Sequence, residues 1–309
     1  RGLMNRNCVN RLFSLVWLSL LIPGCLGARE PKQEAVARPA SFVLWQLPNQ
    51  THSQMMSYVI KTTGGKIIVI DGGTTGDAAY LKGFLAALGN DVEAWFMSHA
   101  HSDHFEALGE ILSMPDAPRI KTLYGSMSSL EWTKQHCYSA SADVTPYEKY
   151  LEAVRRANLH EVDLPLGADF RIDNVRIEVL GVRNPEITVN ALNNSSMVWR
   201  MSDEVKSVLF TGDLGAEGGR KLMDSPYAAR LPSDYVQMAH HGQEGVDETF
   251  YRAVNPKYCL WTTPLWLWDN DNGGGKGSGP WKTLEVRAWM DKLAIKQHYV
   301  ILEGLCRIE

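Results

Sequence analysis

Alternating β-rich and helical patterns begin about sixty residues into the chain. Residues 57–71 form two apolar, β-branched runs around Gly64 and Gly65, which predicts a hairpin. Residues 77–88 have helical spacing, residues 94–96 form a short apolar strand, and a second helix is expected to start near His104. This strand and helix alternation is typical of a layered α/β fold.

The second half of the chain repeats this organisation. Before it, a helix is expected over residues 127–136, and another over 145–158, opened by a capping box of Thr145 and Glu148 with Pro146 at the first helical position. Strand patterns then return over residues 170–180, 196–201 and 207–213. Two βα halves packed sheet to sheet are therefore predicted, within a single domain over residues 41–309.

Composition narrows the class of protein. The 309 residues are 45% apolar and 21% charged, which indicates a folded chain with a substantial core. The formal net charge of -4 offers no basic stripe, so no strong nucleic-acid footprint is expected. Three scattered cysteines, Cys137, Cys259 and Cys306, show no metal-type spacing and are expected to be buried thiols.

The N-terminus has the pattern of an export signal. Basic residues precede an apolar run from Leu12 to Ile22, which is shorter than the roughly twenty residues that span a bilayer. The run ends in Leu-Ile-Pro-Gly-Cys25, which resembles a bacterial lipobox. We expect a signal over residues 1–25, a tether over 26–40 and a lipid anchor at Cys25, with ordinary cleavage near Gly27 as the alternative. The protein is then exported to the cell envelope and contacts the membrane through the anchor only.

A cluster of imidazoles follows the apolar strand at residues 94–96. His99 and His101 alternate along an extended backbone, so both face the same side and can hold one metal ion. Asp103 and His104 follow where the helix begins, and can reach a second ion, since paired metals in hydrolases lie about 3.5–4 Å apart. The spacing predicts half of a two-metal site.

These residues resemble the H-x-H-x-D-H signature of the metallo-β-lactamase superfamily. Three further motifs match that family in the same order: Ile68 to Gly73, Phe210-Thr-Gly-Asp213, and Met238-Ala-His-His-Gly242. The combination is most similar to the extracellular domain of the bacterial competence (DNA-uptake) channel and related secreted phosphodiesterases. The resemblance implies a four-layer αββα sandwich with the site at one edge.

The resemblance also implies roles for individual residues. His99 and His101 are expected to bind the first metal, Asp213 to bridge both, and the second metal to be bound by Asp103, His104 and His240. Asp71 is expected to orient ligands from behind. The expected metals are two divalent ions, zinc or alternatively manganese. The residues expected to carry the chemistry are Asp213, His241 and Asp103, with His241 stabilising charge or protonating the leaving oxygen.

One position departs from the family pattern. Family members supply a third histidine to the first metal shortly before the bridging aspartate, where this chain has Asn193 and Asn194. One of these amides is expected to take that place, which makes the first site weaker, because an amide oxygen binds zinc less well than an imidazole.

An aspartate at the bridging position is typical of the phosphodiesterase, nuclease, thioesterase and lactonase branches, and true metallo-β-lactamases lack it. The resemblance thus implies a metal-dependent hydrolase, with a small or polymeric phosphoester as its expected substrate. A thioester or lactone hydrolase and a non-catalytic binding domain are the alternatives. A tryptophan- and glycine-rich segment, residues 260–281, is expected to form either a lid or wall near the metals, or part of the core.

The lipid anchor can be tested in cells. The Cys25→Ser variant should move from the membrane fraction to the soluble exported fraction, because no other segment is predicted to hold the protein to a bilayer. Fractionation with immunoblotting measures this. A variant that stays fully membrane-bound would contradict the anchor.

Overall fold

Residues 40–309 are described by the computed structural model, and they form one compact unit. The predicted signal over residues 1–25, and the tether up to residue 39, lie outside the described residues. In the described part, no helix combines the length and the apolar character that a membrane span requires.

The first sheet has seven strands in the order β16-β1-β2-β3-β5-β7-β8. Strands β16, β1, β2 and β3 pair antiparallel, and β3, β5, β7 and β8 pair parallel. The bounds are β1 Val43–Gln46, β2 Ser57–Lys61, β3 Ile67–Asp71, β5 Ala94–Phe96, β7 Leu123–Gly125, β8 Glu161–Asp163 and β16 Cys306–Ile308, with a separate small pair, β4 Asp91–Val92 and β6 Arg119–Ile120.

The second sheet also has seven strands, in the order β15-β14-β13-β12-β11-β10-β9. Its first four strands along the chain pair antiparallel, and β12 to β15 pair parallel. The bounds are β9 Asp169–Ile172, β10 Val175–Gly181, β11 Val198–Ser202, β12 Ser207–Phe210, β13 Tyr235–Gln237, β14 Tyr258–Trp261 and β15 Gln297–Val300. The two sheets thus repeat the same plan, apart from β16, which crosses to the first sheet.

Nine α-helices are found in the described residues. They are α1 Ala78–Ala87, α2 Ser102–Ile111, α3 Leu130–His136, α4 Thr145–Arg156, α5 Ala191–Asn194, α6 Ala216–Met223, α7 Glu248–Val254, α8 Leu265–Trp268 and α9 Thr283–Asp291. One turn of π-helix, Ala140–Val144, leads directly into α4.

Three apolar clusters separate four layers. The central cluster lies between the sheets, where Trp199 stacks on Phe96 and Phe210 with ring centroids 5.8 and 5.7 Å apart. A second cluster joins the first sheet to α1, α2 and α4, and a third joins the second sheet to α6, α7 and α9. Because each sheet buries both faces, its central strands are apolar throughout. The predicted αββα sandwich is confirmed.

Most predicted elements are present within a few residues of the expected bounds, but the capping box at Thr145 is wrong. Thr145 already has helical dihedrals, and its hydroxyl donates to the carbonyl of Ala140 instead of capping a helix start. The backbone amide of Thr145 also donates to the Ala140 carbonyl. The π-helical turn therefore supplies an acceptor of the kind that a capping side chain supplies at a helix start. Cys259 and Cys306 are buried free thiols, as predicted, and Cys137 is a half-buried free thiol.

Candidate metal centre

The predicted site residues follow strands that end at one edge of the sandwich. The imidazoles of His99 and His101 come after β5, and Asp103 and His104 lie in the first turn of α2. The second sheet supplies the loop after β12, which holds Asp213, and the loop after β13, which holds the His-His pair. Because these strands run parallel within each sheet, their carboxyl ends place residues distant in sequence side by side.

The first cluster consists of His99, His101 and Asp213. One ligand atom from each lies within 4.8 Å of the others. The Nε2 of His99 is 3.0 Å from Nδ1 of His101 and 3.8 Å from a carboxylate oxygen of Asp213. Two ring nitrogens and a carboxylate at this separation are a donor set that suits zinc.

The second cluster consists of Asp103, His104, Asp213 and His241, again within 4.8 Å of one another. The Nε2 of His241 is 3.1 Å from Asp103 Oδ2 and 3.3 Å from Asp213 Oδ2. The Nε2 of His104 is 3.2 Å from the same oxygen of Asp213. Asp213 therefore belongs to both clusters.

Several of the polar atoms that face this space make no hydrogen bond with the protein, although they lie close to one another. Both carboxylate oxygens of Asp213, and the Nε2 atoms of His104 and His241, are buried without a hydrogen bond. Leaving buried polar atoms unpaired costs about 1–3 kcal/mol for each group, more when it is charged. A bound cation removes this cost, so the residues fit the divalent metal that the site's donor set indicates.

Asp71 and Ser98 fix the orientation of His104 and His99 through their Nδ1 atoms, on the side of each ring away from the cation space. Asp71 is fully buried, and its Oδ2 lies 2.6 Å from Nδ1 of His104 and accepts the Ser98 hydroxyl at 2.6 Å. The hydroxyl oxygen of Ser98 is 3.0 Å from Nδ1 of His99. With protons on these Nδ1 atoms, the Nε2 lone pairs of His99 and His104 face the cation space. Asp71 thus lies where an orienting residue was expected.

The two adjacent histidines have different surroundings. His241 directs Nδ1 to the carbonyl oxygen of Thr262 at 3.1 Å, which leaves its Nε2 in the second cluster. His240 directs Nδ1 to the carbonyl of Glu244 at 2.8 Å and lies outside both clusters. The structure therefore brings His241 to the carboxylates, and not His240, to which the sequence analysis gave the ligand role.

The backbone conformation explains why His241, and not His240, faces the carboxylates. His240, His241 and Gly242 have φ values of 51°, 55° and 80°, so three consecutive residues adopt the left-handed region. That conformation is strained for residues with a side chain and is tolerated where the surroundings fix it. The turn directs the His241 ring inward, where it is completely buried, and leaves His240 half-buried at the outer side of the site.

The two asparagines also differ. Asn194 is a structural residue, because its Oδ1 accepts the amide of Gly218 at 2.9 Å and its Nδ2 donates to the Val189 carbonyl at 2.8 Å. Asn193 donates to Asn190 at 2.9 Å, while its Oδ1 is buried without a partner. Its Nδ2 lies 3.4 Å from Nε2 of His240. Of the two amides, Asn193 is the one with a free oxygen.

Electrostatics favour cation binding in the second cluster. Burial alone would lower the pKa of His241, but the carboxylates of Asp213 and Asp103 outweigh it and raise that pKa to about 9. The same balance raises the pKa of His104. Despite burial, His104 and His241 hold the pKa of Asp213 well below its usual range. The carboxylates thus attract positive charge, which protons or a metal ion can supply, and a bound metal displaces the protons.

Several supporting residues carry no sequence signal. Gln54 donates to Asp103 Oδ2 at 3.1 Å and accepts from the amide of Gln243 at 2.8 Å. Asp143, in the π-helical turn, places Oδ1 3.9 Å from Nε2 of His101. Neither glutamine belongs to a motif, and Asp143 lies in a segment that the sequence analysis did not assign. Only Ser98 could have been suspected, because it directly precedes His99.

Comparisons with known proteins agree with this architecture. A segment of ComE operon protein 3 of Bacillus subtilis (strain 168) is 27% identical over 179 residues, which is 57% of this chain and 21% of that protein. The match thus spans about a fifth of the relative's length. The fold is similar to that of the metallo-beta-lactamase fold protein YhfI from Bacillus subtilis, with a TM-score of 0.54 and 11% identity, covering 87% of this chain and 100% of that one.

The fold is also similar to that of CmlA, a diiron beta-hydroxylase from Streptomyces venezuelae, with a TM-score of 0.52 and 14% identity over 88% of this chain and 55% of that one. The family model described as "Metallo-beta-lactamase superfamily" matches residues 52–258. With its two sheets flanked by helices and its candidate metal ligands at one edge, the chain belongs to the metallo-beta-lactamase superfamily.

Proposed function

We propose that the protein is an exported phosphodiesterase that uses two divalent metal ions. The observation that carries this proposal is the position of Asp213, a buried carboxylate whose two oxygens make no hydrogen bond and which is shared by two ligand clusters. An aspartate at this place is typical of the secreted phosphodiesterases that the motifs resemble, and also of the thioester and lactone hydrolases that are the alternatives. Export rests on the signal-like N-terminal sequence alone.

Each metal has a defined set of proposed ligands. His99, His101 and the free Oδ1 of Asn193 would hold the first ion, and Asp213 would lie between the two. The second would be held by Asp103, His104 and His241. Zinc is the metal we propose, since imidazole and carboxylate ligands suit it, with manganese as the alternative. When bound, two such ions supply an activated water and polarise the scissile bond.

The chain's own residues then divide the remaining work. Asp213 would orient the attacking water and take its proton. Asp71 and Ser98 keep His104 and His99 in the ligand tautomer. Burial lowers the pKa of His240, so its imidazole is neutral near pH 7 and its Nε2 is a hydrogen-bond acceptor at the mouth. As a proposed metal ligand, His241 would not be free for the proton transfer that we expected of it, and the neutral Nε2 of His240 would instead accept a hydrogen bond from water or substrate.

Turnover and metal content test the proposed function together. The purified chain should contain about two zinc or manganese ions by mass spectrometry, and should hydrolyse bis-p-nitrophenyl phosphate in a chelator-sensitive way. Asp213→Ala should abolish turnover, because it removes the shared carboxylate. Parallel assays with a thioester and a lactone separate the alternative hydrolases. A protein without metal and without activity after zinc or manganese is added would favour the non-catalytic binding domain.

The exchanged roles of the two histidines predict opposite effects on metal retention. His241→Ala should lose metal from the second site on dialysis. Removing a ligand should lower the metal affinity by more than the roughly 10–100-fold that loss of a supporting residue costs. His240→Ala is the matched variant one residue away, and should retain both ions because its ring lies outside the clusters. Metal analysis of both variants decides the assignment, and the reverse result would restore His240 as the ligand.

The two asparagines make a second matched pair. Asn193→His should tighten metal retention at the first site, because an imidazole replaces an amide that has a free oxygen. Asn194→His should instead lower the free energy of unfolding by about 1–3 kcal/mol, since it breaks the bonds to Gly218 and Val189. Competition with a chelator and urea denaturation measure the two effects. Tighter retention in Asn194→His would contradict the assignment.

A further inference from the structure

A cavity of about 800 Å³ opens in front of the candidate metal centre. Asp103 and His240 contribute to its lining, so it is continuous with the site. The rest of the lining is aromatic or neutral and polar: Ser53, Gln54, Ser102, Tyr138, Gln243, Trp266 and Trp281. A volume of this size is within the range of small-molecule sites, about 300–1,000 Å³.

Two tryptophans form one wall of this cavity. The rings of Trp266 and Trp281 pack edge to face, with centroids 4.7 Å apart at 61°. The indole N–H of Trp266 donates to the carbonyl of His52 at 2.7 Å, which fixes the ring across the mouth. Both side chains are half-buried, whereas Trp261 in the same segment is completely buried. Exposed aromatic surface held in place at a site mouth is typical of ligand stacking.

The glycine-rich segment is shaped around Trp281. Buried Asn270 donates to the carbonyl of Gly279 at 3.0 Å and accepts the amide of Trp281 at 3.1 Å. A Cβ atom at Gly279 would lie 2.5 Å from the Trp281 ring, so only glycine allows this approach. Asp271 accepts the amides of Gly273 and Gly275 at 2.7 and 2.9 Å. These contacts hold the glycine-rich segment in place as one wall of the cavity.

Charge around the mouth argues against recognition of a polyanion. Among the described residues that line the cavity, none is a lysine or arginine. The neighbouring Lys282 forms an ion pair with Glu244 at 2.9 Å. Phosphates remote from the metals would therefore find no cation in this lining to hold them.

We infer that the Trp266–Trp281 wall binds an uncharged ring with an apolar face, carried by the substrate next to the scissile phosphoester. This inference rests on the proposed function and narrows its substrate class to small phosphoesters with a ring. The ring could be a nucleobase or a sugar, because both present an apolar face to tryptophan and polar edges to neutral side chains. The ring stacks on the wall while the phosphate reaches the metal centre.

Equilibrium binding tests this without relying on turnover. Thymidine 5′-monophosphate, glucose 6-phosphate and methyl phosphate are titrated into the zinc-loaded protein by calorimetry. At least one ring monoester should bind about tenfold more tightly than methyl phosphate, the scale of stacking on an aromatic side chain. Whichever ring monoester binds more tightly identifies the preferred ring as a nucleobase or a sugar. Equal affinities for all three, or no binding of any, would overturn the inference.

Variants separate stacking from general damage to the fold. Trp266→Leu should remove the ring preference, and Trp266→Phe should retain part of it because a flat face remains. Gly279→Ala should also weaken the preference, since it displaces Trp281 without deleting an aromatic ring. Trp132→Leu is the matched control: Trp132 is also half-buried and donates its indole N–H to a carbonyl, at 3.1 Å, but it lines a different cavity. It should keep the full preference.

The two proposals fail in different ways. A protein that binds the ring monoesters more tightly but cleaves no phosphodiester would keep the ring site and lose the proposed function. A protein that cleaves phosphodiesters but binds all three monoesters alike would keep the function and lose the ring site. A ring preference that survives in Trp266→Leu would also overturn the inference.

Discussion

The buried carboxylate of Asp213 is the constraint on which the rest of the site depends. It is 1% exposed and lies within reach of three imidazoles supplied by both sheets. A buried negative charge is costly unless positive charge accompanies it. Protonated histidines or metal ions must therefore surround the Asp213 carboxylate. Strands of both sheets end close enough to it for the histidines that follow them to do so.

Much of this arrangement follows from sequence, because local patterns and local motifs determine it. The hairpin at residues 57–71, the αββα layers and the gathering of His99, His101, Asp103, His104 and Asp213 all agree with the sequence analysis. The hairpin depends on apolar periodicity, and His99, His101, Asp103 and His104 lie within six residues of one another. The four-layer sandwich and the place of Asp213 beside these residues were implied by the resemblance to the metallo-β-lactamase superfamily. Within each sheet, the parallel strands end at a common edge, which agrees with the position of these residues.

The remaining features depend on tertiary context. Which histidine of the His-His pair turns inward is decided by three left-handed residues, and which asparagine has a free oxygen is decided by contacts with Gly218. Gln54 and Gln243 meet across 189 positions of the chain. The capping pattern at Thr145 was misleading because the π-helical turn before it continues the helical path. Neighbours in sequence cannot distinguish these cases.

Strand β16 pairs with β1 in the first sheet, and the contact between Gln46 and Cys306 spans 260 positions. The β1 edge therefore stays open until synthesis has proceeded at least as far as residue 306. Pairings of such high sequence separation form slowly, and an open edge can pair with another molecule in the meantime. Folding yield at high protein concentration should thus depend on how quickly three residues, Cys306–Ile308, reach that edge.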